Sequence, residues 1–345
     1  MDEKHIDYRA LKEAGRILRK GGLVAFATET VYGLGANALD EKAVQKIFRA
    51  KGRPSDNPLI VHISEKKQLG LLAKNIPPKA RALVKRFWPG PLTIVVPKKP
   101  ILSAVVTGGL DTVAIRMPSH KVARALLRAA GVPIAAPSAN KSGRPSTTRS
   151  SHVLADLDQQ IDGIVDAGPA DHGIESTIVR AKGSRLELLR PGALPIEALE
   201  KAGFVIDVHP RLWAHPATAL APGMKYRHYA PRARVSLFTR KQPAKKIQRL
   251  IRAEQKKGRI VALLWMRDEP LKGVLTKRYS DERQMAFELF DDFRHLDEWK
   301  VHHIFLEQVP QTGLGLGIMN RVQKAATPSN QVHKPFSKQL PKKRT

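Results

Sequence analysis

The stretch Lys51–His62, which reads KGRPSDNPLIVH, joins a basic turn to a short apolar run. The run Leu59–Ile63 predicts a buried strand. Pro54 favours extended backbone at Arg53, so the residues before the strand are expected to form a loop rather than a helix. A rigid loop at the end of a strand would hold Lys51 and Arg53 where cations can bind phosphate or carboxylate groups. A solvated basic turn is the alternative.

The residues up to 207 mix helical and strand patterns without a regular βαβ alternation. We therefore expect an α/β domain built on a mixed, open, twisted sheet. Asp7, Asp40 and Ser119 are predicted to cap helices, while Thr28–Gly35 and Pro137–Ser146 are predicted to be loops. Predicted helices cover 8–20, 41–49, 65–72, 78–87 and the residues from the Ser119 cap to 130. Predicted strands cover 23–27, 59–63, 92–96, 112–116, 134–136, 164–166, 176–180 and 186–189.

The rest of the chain divides into three parts. Prolines interrupt residues 208–233, which we interpret as a linker, although the cluster Met224–Tyr229 is more distinctive than a plain spacer. Residues 234–326 follow a βαβαβα pattern and predict a second domain, a small Rossmann-like α/β unit with a parallel sheet. Residues 327–345 carry cations and no acid, so this tail is expected to be disordered.

Composition limits the classes of protein to consider. Sixty Lys and Arg against 31 Asp and Glu give a formal charge of +29, which favours polyanions such as nucleic acid as partners. The chain has no cysteine, which excludes disulfides and thiolate metal sites. No apolar run reaches the roughly 20 residues of a membrane span, and Met1–His5 is too polar to begin a signal peptide. We expect a cytoplasmic protein.

Several familiar catalytic motifs are missing from the sequence. There is no G-x-x-x-x-G-K-[ST] phosphate loop, no G-x-S-x-G nucleophile elbow and no helical H-x-x-x-H metal pair. The run Gly313–Gly317 is open to two interpretations, a dinucleotide-binding loop or a tight turn with close helix packing. Four cations and several hydroxyl or amide donors fall instead near predicted strand ends: Lys51, Arg53, Arg116, Arg190, Thr28, Thr30, Asn57, Ser138, Asn140, Ser146, Ser176 and Thr177.

These residues belong to motifs that resemble the YrdC-domain family, the threonylcarbamoyl-AMP synthases. The resemblance covers about residues 7–207. The motifs are Thr28–Leu34, Lys51-x-Arg53 with Asn57-Pro58-Leu59, Ala114-x-Arg116-x-Pro118, Pro137–Asn140, Ser176-Thr177 and Arg190-Pro191-Gly192. His228–Pro231 and the terminal α/β domain resemble the longer, two-domain branch of the family.

The resemblance implies an enzyme that joins L-threonine, bicarbonate and ATP into threonylcarbamoyl-AMP and releases pyrophosphate. The product would feed the modification of ANN-decoding tRNAs by a downstream transfer machinery. It implies a catalytic quartet of Lys51, Arg53, Ser138 and Asn140. Nucleotide contacts are expected from Arg53, Asn57, Thr112, Ser138, Ser146, Arg190 and Tyr229. Threonine contacts are expected from Thr30, His62, Arg116, Ala136 and Ser176.

Further roles follow from chemistry. Arg116 is our candidate for the threonine carboxylate, since its fork suits a bidentate contact. Any Mg²⁺ would be held mainly by ATP and water, because the sequence offers no acidic cluster for a metal. Tyr229 could cover the pocket as a lid.

Two other functions are compatible with the sequence. One is a non-catalytic protein that binds double-stranded RNA or tRNA through its positive charge. The other is a different carbamoyl chemistry on the same domain, as in hydrogenase maturation, but those proteins carry zinc fingers that a chain without cysteine cannot form.

Overall fold

Two β-sheets organise the chain, and a computed structural model describes residues 6–208, 212, 221–222, 229–269 and 271–326. The elements around the first sheet are α1 (Tyr8–Arg19), β1 (Val24–Phe26), β2 (Gly33–Asn37), α2 (Glu41–Lys51), β3 (Ile60–His62), α3 (Leu69–Leu72), α4 (Pro78–Phe87), β4 (Leu92–Pro97), α5 (Ala104–Thr107), β5 (Thr112–Arg116), α6 (Lys121–Ala130), β6 (Ile134–Ala135), α7 (Ser150–Leu157), β7 (Gly163–Val165), β8 (Thr177–Lys182), β9 (Arg185–Arg190), α8 (Ile196–Lys201) and β10 (Ile206–Val208).

Within the described part of the chain, the first sheet has ten strands in the order β10-β9-β8-β4-β5-β3-β6-β2-β1-β7. Its pairs are both parallel, as in β3 with β5, and antiparallel, as in β4 with β5. The prediction of a mixed sheet is therefore confirmed. β3 lies between β5 and β6, and its pairing with β5 sets His62 beside Arg116 on neighbouring strands.

Two helix starts follow the sequence signals. The Asp7 side chain accepts hydrogen bonds from the amides of Arg9 and Ala10. At the start of α2, the Asp40 side chain accepts hydrogen bonds from the amides of Lys42 and Ala43. Such caps satisfy the amides that a helix leaves unpaired at its N-terminus. At α6 the prediction is wrong by one residue, because His120 rather than Ser119 is the cap.

Two local predictions around the site are also wrong. Lys51 is the last residue of α2 rather than part of a loop, because the helix ends one residue later at Gly52, whose φ is +60°. Gly33–Asn37 forms strand β2, although Gly33–Gly35 was predicted to belong to a loop. Gly35 is needed in this strand because a Cβ there would lie 2.9 Å from Ile134 Cγ2 and 3.0 Å from Phe26 Cε1.

The second sheet is parallel throughout, in the order β11-β14-β12-β13. The small parallel α/β unit predicted from the sequence is confirmed. Strand β13 was not predicted, because it lies at the sheet edge, is largely exposed and lacks an apolar run. The elements are β11 (Arg234–Phe238), α9 (Ala244–Gln255), β12 (Val261–Trp265), β13 (Leu275–Arg278), α10 (Glu282–Glu298), β14 (His303–Glu307) and α11 (Gly313–Ala325).

The glycine run Gly313–Gly317 forms the first turns of α11. A Cβ at Gly317 would lie 3.1 Å from the carbonyl oxygen of Gly192 and 3.0 Å from Ile174 Cδ1. The glycines thus let the terminal helix approach the first domain closely, which favours the packing interpretation over the dinucleotide loop.

Parts of the predicted linker and the whole tail 327–345 lie outside the described residues. Val208, the first residue of the linker as predicted, belongs to β10, which pairs with β9. Within the described ranges, no helix combines the length and apolar character needed to cross a bilayer.

Candidate active site

A central cavity of about 700 Å³, counting the solvent at its mouth, opens beside strands β3, β5 and β6. Twelve of the predicted site residues line it: Lys51, Arg53, Ser138, Asn140, Ser146, Arg190, Tyr229, Thr30, His62, Arg116, Ala136 and Ser176. Two predicted residues do not line it: Asn57, which is fully buried, and Thr112, which is half-buried at the start of β5.

Arg116 is held at one side of the cavity by a buried acid. Its Nη2 lies 2.6 Å from Glu29 Oε1, its Nη1 donates to Thr30 Oγ1 at 2.7 Å, and its Nε donates to the Gly90 carbonyl at 3.3 Å. Burial opposes ionisation of Glu29, but the charge of Arg116 and the Ser119 amide outweigh it and lower the pKa of Glu29 to about 2. The guanidinium is therefore fixed in place before any ligand arrives.

His62 lies next to Arg116 and is also buried. Burial, with a smaller effect from the Arg116 charge, lowers the pKa of His62 to about 3, so its ring is neutral at physiological pH. Its Nδ1 has no hydrogen-bond partner among the described residues. Since a buried polar atom without a partner is costly, the His62 Nδ1 is an unmet hydrogen-bonding group beside Arg116.

Lys51 connects the end of α2 to the loop after β6. Its Nζ donates to the Ser138 carbonyl at 2.6 Å and to the Asn140 carbonyl. The Ser138 hydroxyl donates to Asn140 Oδ1 at 2.5 Å. Burial, reinforced by the charge of Arg53, holds the pKa of Lys51 well below its usual value. The predicted quartet of Lys51, Arg53, Ser138 and Asn140 is thus brought together.

Arg190 closes the far side at the end of β9. Its guanidinium donates to the Ser176 carbonyl at 2.9 and 3.2 Å, to Ser176 Oγ at 3.2 Å and to the Pro222 carbonyl at 3.2 Å. The Ser176 hydroxyl also bonds Thr93 on β4 at 2.8 Å. Burial lowers the pKa of Arg190 to about 10, which leaves it charged at neutral pH.

The second domain supports the cavity wall from behind, through residues that bond to the lining side chains. Ser146 donates to Glu175 Oε1 at 2.5 Å, and the other oxygen of Glu175 lies 2.8 Å from Arg321 Nε on α11. Nearby, Asp156 on α7 binds both Arg144, which lines the cavity, and Arg294 on α10, at 2.5 and 2.9 Å. Ion pairs between the domains therefore support two parts of the wall.

Tyr229 reaches the cavity from the segment between β10 and β11. Its ring stacks on Phe290 with centroids 5.5 Å apart, and the Arg321 guanidinium carbon lies 5.6 Å from its centroid. Its φ is +66°, an uncommon backbone conformation for an aromatic residue. These contacts fix Tyr229 against the second domain.

Sequence reasoning missed three functional candidates: Glu29, Glu175 and Arg321. Glu29 lies inside the motif Thr28–Leu34, and Glu175 directly precedes the motif Ser176-Thr177, so their position was the available signal. Arg321 had no such signal, because it lies in a helix that the motifs do not cover.

Cations and hydroxyl groups outnumber carboxylates among the residues that line the cavity. No group of three or more His, Asp or Glu side chains that could hold a metal occurs within the described ranges. Glu175, a carboxylate in the cavity wall, is already bonded to Ser146 and Arg321.

Known proteins match the chain over most of its length. The family model described as "Telomere recombination" matches residues 16–192, and the one described as "Threonylcarbamoyl-AMP synthase, C-terminal domain" matches residues 194–327. The threonylcarbamoyl-AMP synthase of Pyrococcus abyssi is 47% identical, over 94% of this chain and 96% of the relative. That of Bacillus subtilis is also 47% identical, over 94% and 95%.

Solved structures of a related protein superpose on this chain over most of its length. Sua5 of P. abyssi complexed with L-threonine superposes with a TM-score of 0.89 at 47% identity, covering 93% of this chain and 95% of that chain. A double variant of the same protein gives a TM-score of 0.90 at 46% identity, covering 94% of each chain. The relatives are named as enzymes, which disfavours the alternative of a non-catalytic RNA-binding protein. The chain belongs to the threonylcarbamoyl-AMP synthase family, in its two-domain form.

Proposed function

We propose that this enzyme forms L-threonylcarbamoyl-AMP from L-threonine, bicarbonate and ATP and releases pyrophosphate. The observation that carries the proposal is the gathering of Lys51, Arg53, Arg116 and Arg190 around one cavity, together with serine and threonine hydroxyls. Such a set can hold several anionic reactants side by side. It contains no cysteine and none of the nucleophile motifs, which suits a reaction between bound substrates.

The chemistry needs no covalent bond to the protein. The threonine amine and bicarbonate form N-carboxy-threonine and water. A carboxylate oxygen of this carbamate then attacks the α-phosphorus of ATP, and the bond to the pyrophosphate leaving group breaks. Catalysis by the protein would consist of alignment and of stabilising the negative charge on the phosphorus centre, as in other phosphoryl-type transfers.

Arg116 is proposed to bind the threonine carboxylate. A guanidinium carries five N–H donors, so the bonds to Glu29, Thr30 and Gly90 do not exhaust it. His62, next to Arg116, is buried and neutral, so it can offer a polar contact without placing a second positive charge there. The threonine complex of the related P. abyssi Sua5 supports this choice of amino acid.

The nucleotide is proposed to lie against the remaining residues of the cavity. Lys51, Arg53 and Arg190 would face its phosphates, with the Ser138 and Ser146 hydroxyls as further donors. Roles for Asn57 and Thr112 depend on the family resemblance alone, since neither lines the cavity. Any Mg²⁺ would be held by the phosphates and water, because Glu175 is occupied, and its chemistry would be charge neutralisation.

The product is proposed to serve threonylcarbamoylation of ANN-decoding tRNAs by a separate transfer machinery. A mixed anhydride of this kind is easily hydrolysed, so its exclusion from water is useful. Tyr229, fixed over the cavity by Phe290 and Arg321, is the residue proposed to cover it.

One experiment tests the reaction and its specificity. The protein is incubated with ATP, labelled bicarbonate and one amino acid at a time, and the products are separated. We expect label in an adenylate, with matching pyrophosphate, only when threonine is present. Label with every amino acid, or pyrophosphate without labelled adenylate, would contradict the proposal.

A further inference from the structure

Helix α9 of the second domain carries an exposed row of cations. Lys245, Arg249, Arg252 and Lys256 line one groove on the outer surface of the domain, and all four are exposed. Their spacing of four, three and four residues places them on one face of the helix. We call these four residues the α9 basic face. They span about 17 Å at 1.5 Å per residue.

The charges of the α9 basic face are not neutralised locally. Among the described residues, none of its four cations forms a salt bridge, whereas Lys257 and Arg259 both pair with Glu254. Residues 240–259 hold nine Lys and Arg and a single acid, Glu254. Glu269 is the acid among the residues that line the groove.

The excess of cations over acids is confined to α9 and its surroundings and is not shared by the whole domain. Helix α10, in the same domain, carries six acids and two arginines over Glu282–Glu298. It packs towards the first domain, where Asp291 and Arg294 bind Arg149 and Asp156. The domain therefore has an uneven charge distribution, with a surplus of cations at α9.

The α9 basic face points away from the catalytic domain. The apolar side of α9, including Ile247 and Ile251, packs with Phe238 and Trp265 on one face of the four-stranded sheet. Residues of α10 and α11 occupy the other core, which also contains Ile174 and Ala193 of the first domain. The cations are thus accessible, and the apolar side of the helix is already buried and unable to enter a membrane.

We propose that the α9 basic face is a docking surface for the phosphate backbone of structured RNA. Double-stranded RNA is recognised largely through its phosphates and hydroxyls, and a row of unpaired cations is complementary to such a backbone. The choice of RNA over other polyanions rests on the proposed function, whose product is consumed on tRNA. Docking there leaves the cavity of the first domain unobstructed, because α10 and α11, on the other face of the four-stranded sheet, are the helices that pack towards that domain.

Two variants with equal charge test this docking surface. K245Q/R249Q/R252Q/K256Q removes the α9 basic face, and K12Q/K42Q/K85Q/R86Q removes four exposed cations from the first domain. Each lowers the formal charge from +29 to +25, since 29 − 4 = 25. Binding of an unmodified tRNA transcript with an ANN anticodon is titrated over a range of salt concentrations. Adenylate synthesis without tRNA and thermal unfolding are measured on the same preparations.

We expect the α9 variant to lose about tenfold or more in tRNA affinity, and its slope of log K against log salt to become shallower by about 2 to 4, because each phosphate contact contributes roughly 0.9. The control should change little, and both variants should make adenylate normally. Equal weakening by both variants, or none by either, would overturn the proposal. The proposal would also be overturned if the binding of phosphatidylserine vesicles required the α9 basic face and the binding of tRNA did not. Tight RNA binding by a protein that makes no adenylate would instead refute the proposed reaction.

Discussion

Arg321 Nε lies 2.8 Å from Glu175 Oε2, although the two residues are 146 positions apart in the chain. Arg321 is fully buried, and it also donates to the Pro191 carbonyl. Because the second oxygen of Glu175 accepts the Ser146 hydroxyl, this pair links the last helix of the second domain to a hydroxyl in the cavity of the first. The second domain therefore supports a side chain of the site through this buried pair.

Replacing Arg321 with Met should weaken both stability and nucleotide use. It leaves the Glu175 carboxylate buried without its cation, a change that costs about 3–5 kcal/mol in buried ion pairs. The pKa of Glu175 is below its ordinary value because the charges of Arg321 and Arg190 outweigh its burial, so loss of Arg321 should raise that pKa. We expect the KM for ATP to rise more than the KM for threonine, measured by steady-state kinetics alongside urea unfolding.

Arg185 provides a matched control for this prediction. It pairs with Asp207 at 2.5 Å, but both side chains are about half exposed, so Arg185→Met should cost below about 1 kcal/mol. The double variant E175Q/R321M removes both buried charges and should recover part of the lost stability. If Arg321→Met lowers the free energy of unfolding by no more than Arg185→Met does, the prediction that the buried pair supports the site is contradicted.

Glu29→Gln should impair threonine binding selectively. The amide keeps the shape of the side chain but removes the charge that fixes Arg116, which lines the cavity. We expect the KM for threonine to rise about tenfold, equivalent to 1.4 kcal/mol, with a smaller change for ATP. Glu13→Gln, which breaks an exposed pair with Arg16, is the control. An equal rise for both substrates would show that Glu29 supports the fold without a role specific to threonine.

Tyr229 should control escape of the adenylate. Tyr229→Phe keeps the ring that stacks on Phe290, so we expect it to retain the intermediate. Tyr229→Ala removes the ring and should increase the fraction of adenylate found free after rapid filtration. The measurement is the ratio of bound to free labelled product at equal turnover. If the Ala and Phe variants give the same ratio, the ring does not cover the cavity.

His62 should make stability sensitive to acid. Its pKa of about 3 in the folded protein lies below the ordinary value near 6.5, so between these pH values the unfolded chain takes up a proton that the folded chain excludes. The stability that the folded protein gains from keeping His62 neutral, relative to acidic pH, is present above pH 6.5 and is lost as the pH falls. His62→Phe should therefore reduce the slope of the free energy of unfolding between pH 6.5 and 5, by up to about 1.4 kcal/mol per pH unit. Parallel curves for the two proteins would contradict this.

The sequence was informative wherever the signal was local. Asp7 and Asp40 marked helix starts, the apolar runs marked strands such as β5 and β12, and the βαβαβα pattern predicted the second sheet. Local signals failed at β2, whose glycines serve close packing, and at β13, whose edge position leaves it polar. In both cases the strand depends on its neighbours in the sheet rather than on its own residues.

By itself, the sequence determined which cations and hydroxyls were available and the fold that could carry them. Only the tertiary structure decided which acids would meet those cations. Glu29 fixes Arg116, and Glu175 joins Ser146 to Arg321, through contacts that span long stretches of chain. The physical reason is that periodicity reports whether a residue is buried, whereas strand order and domain packing decide which distant charge is buried with it.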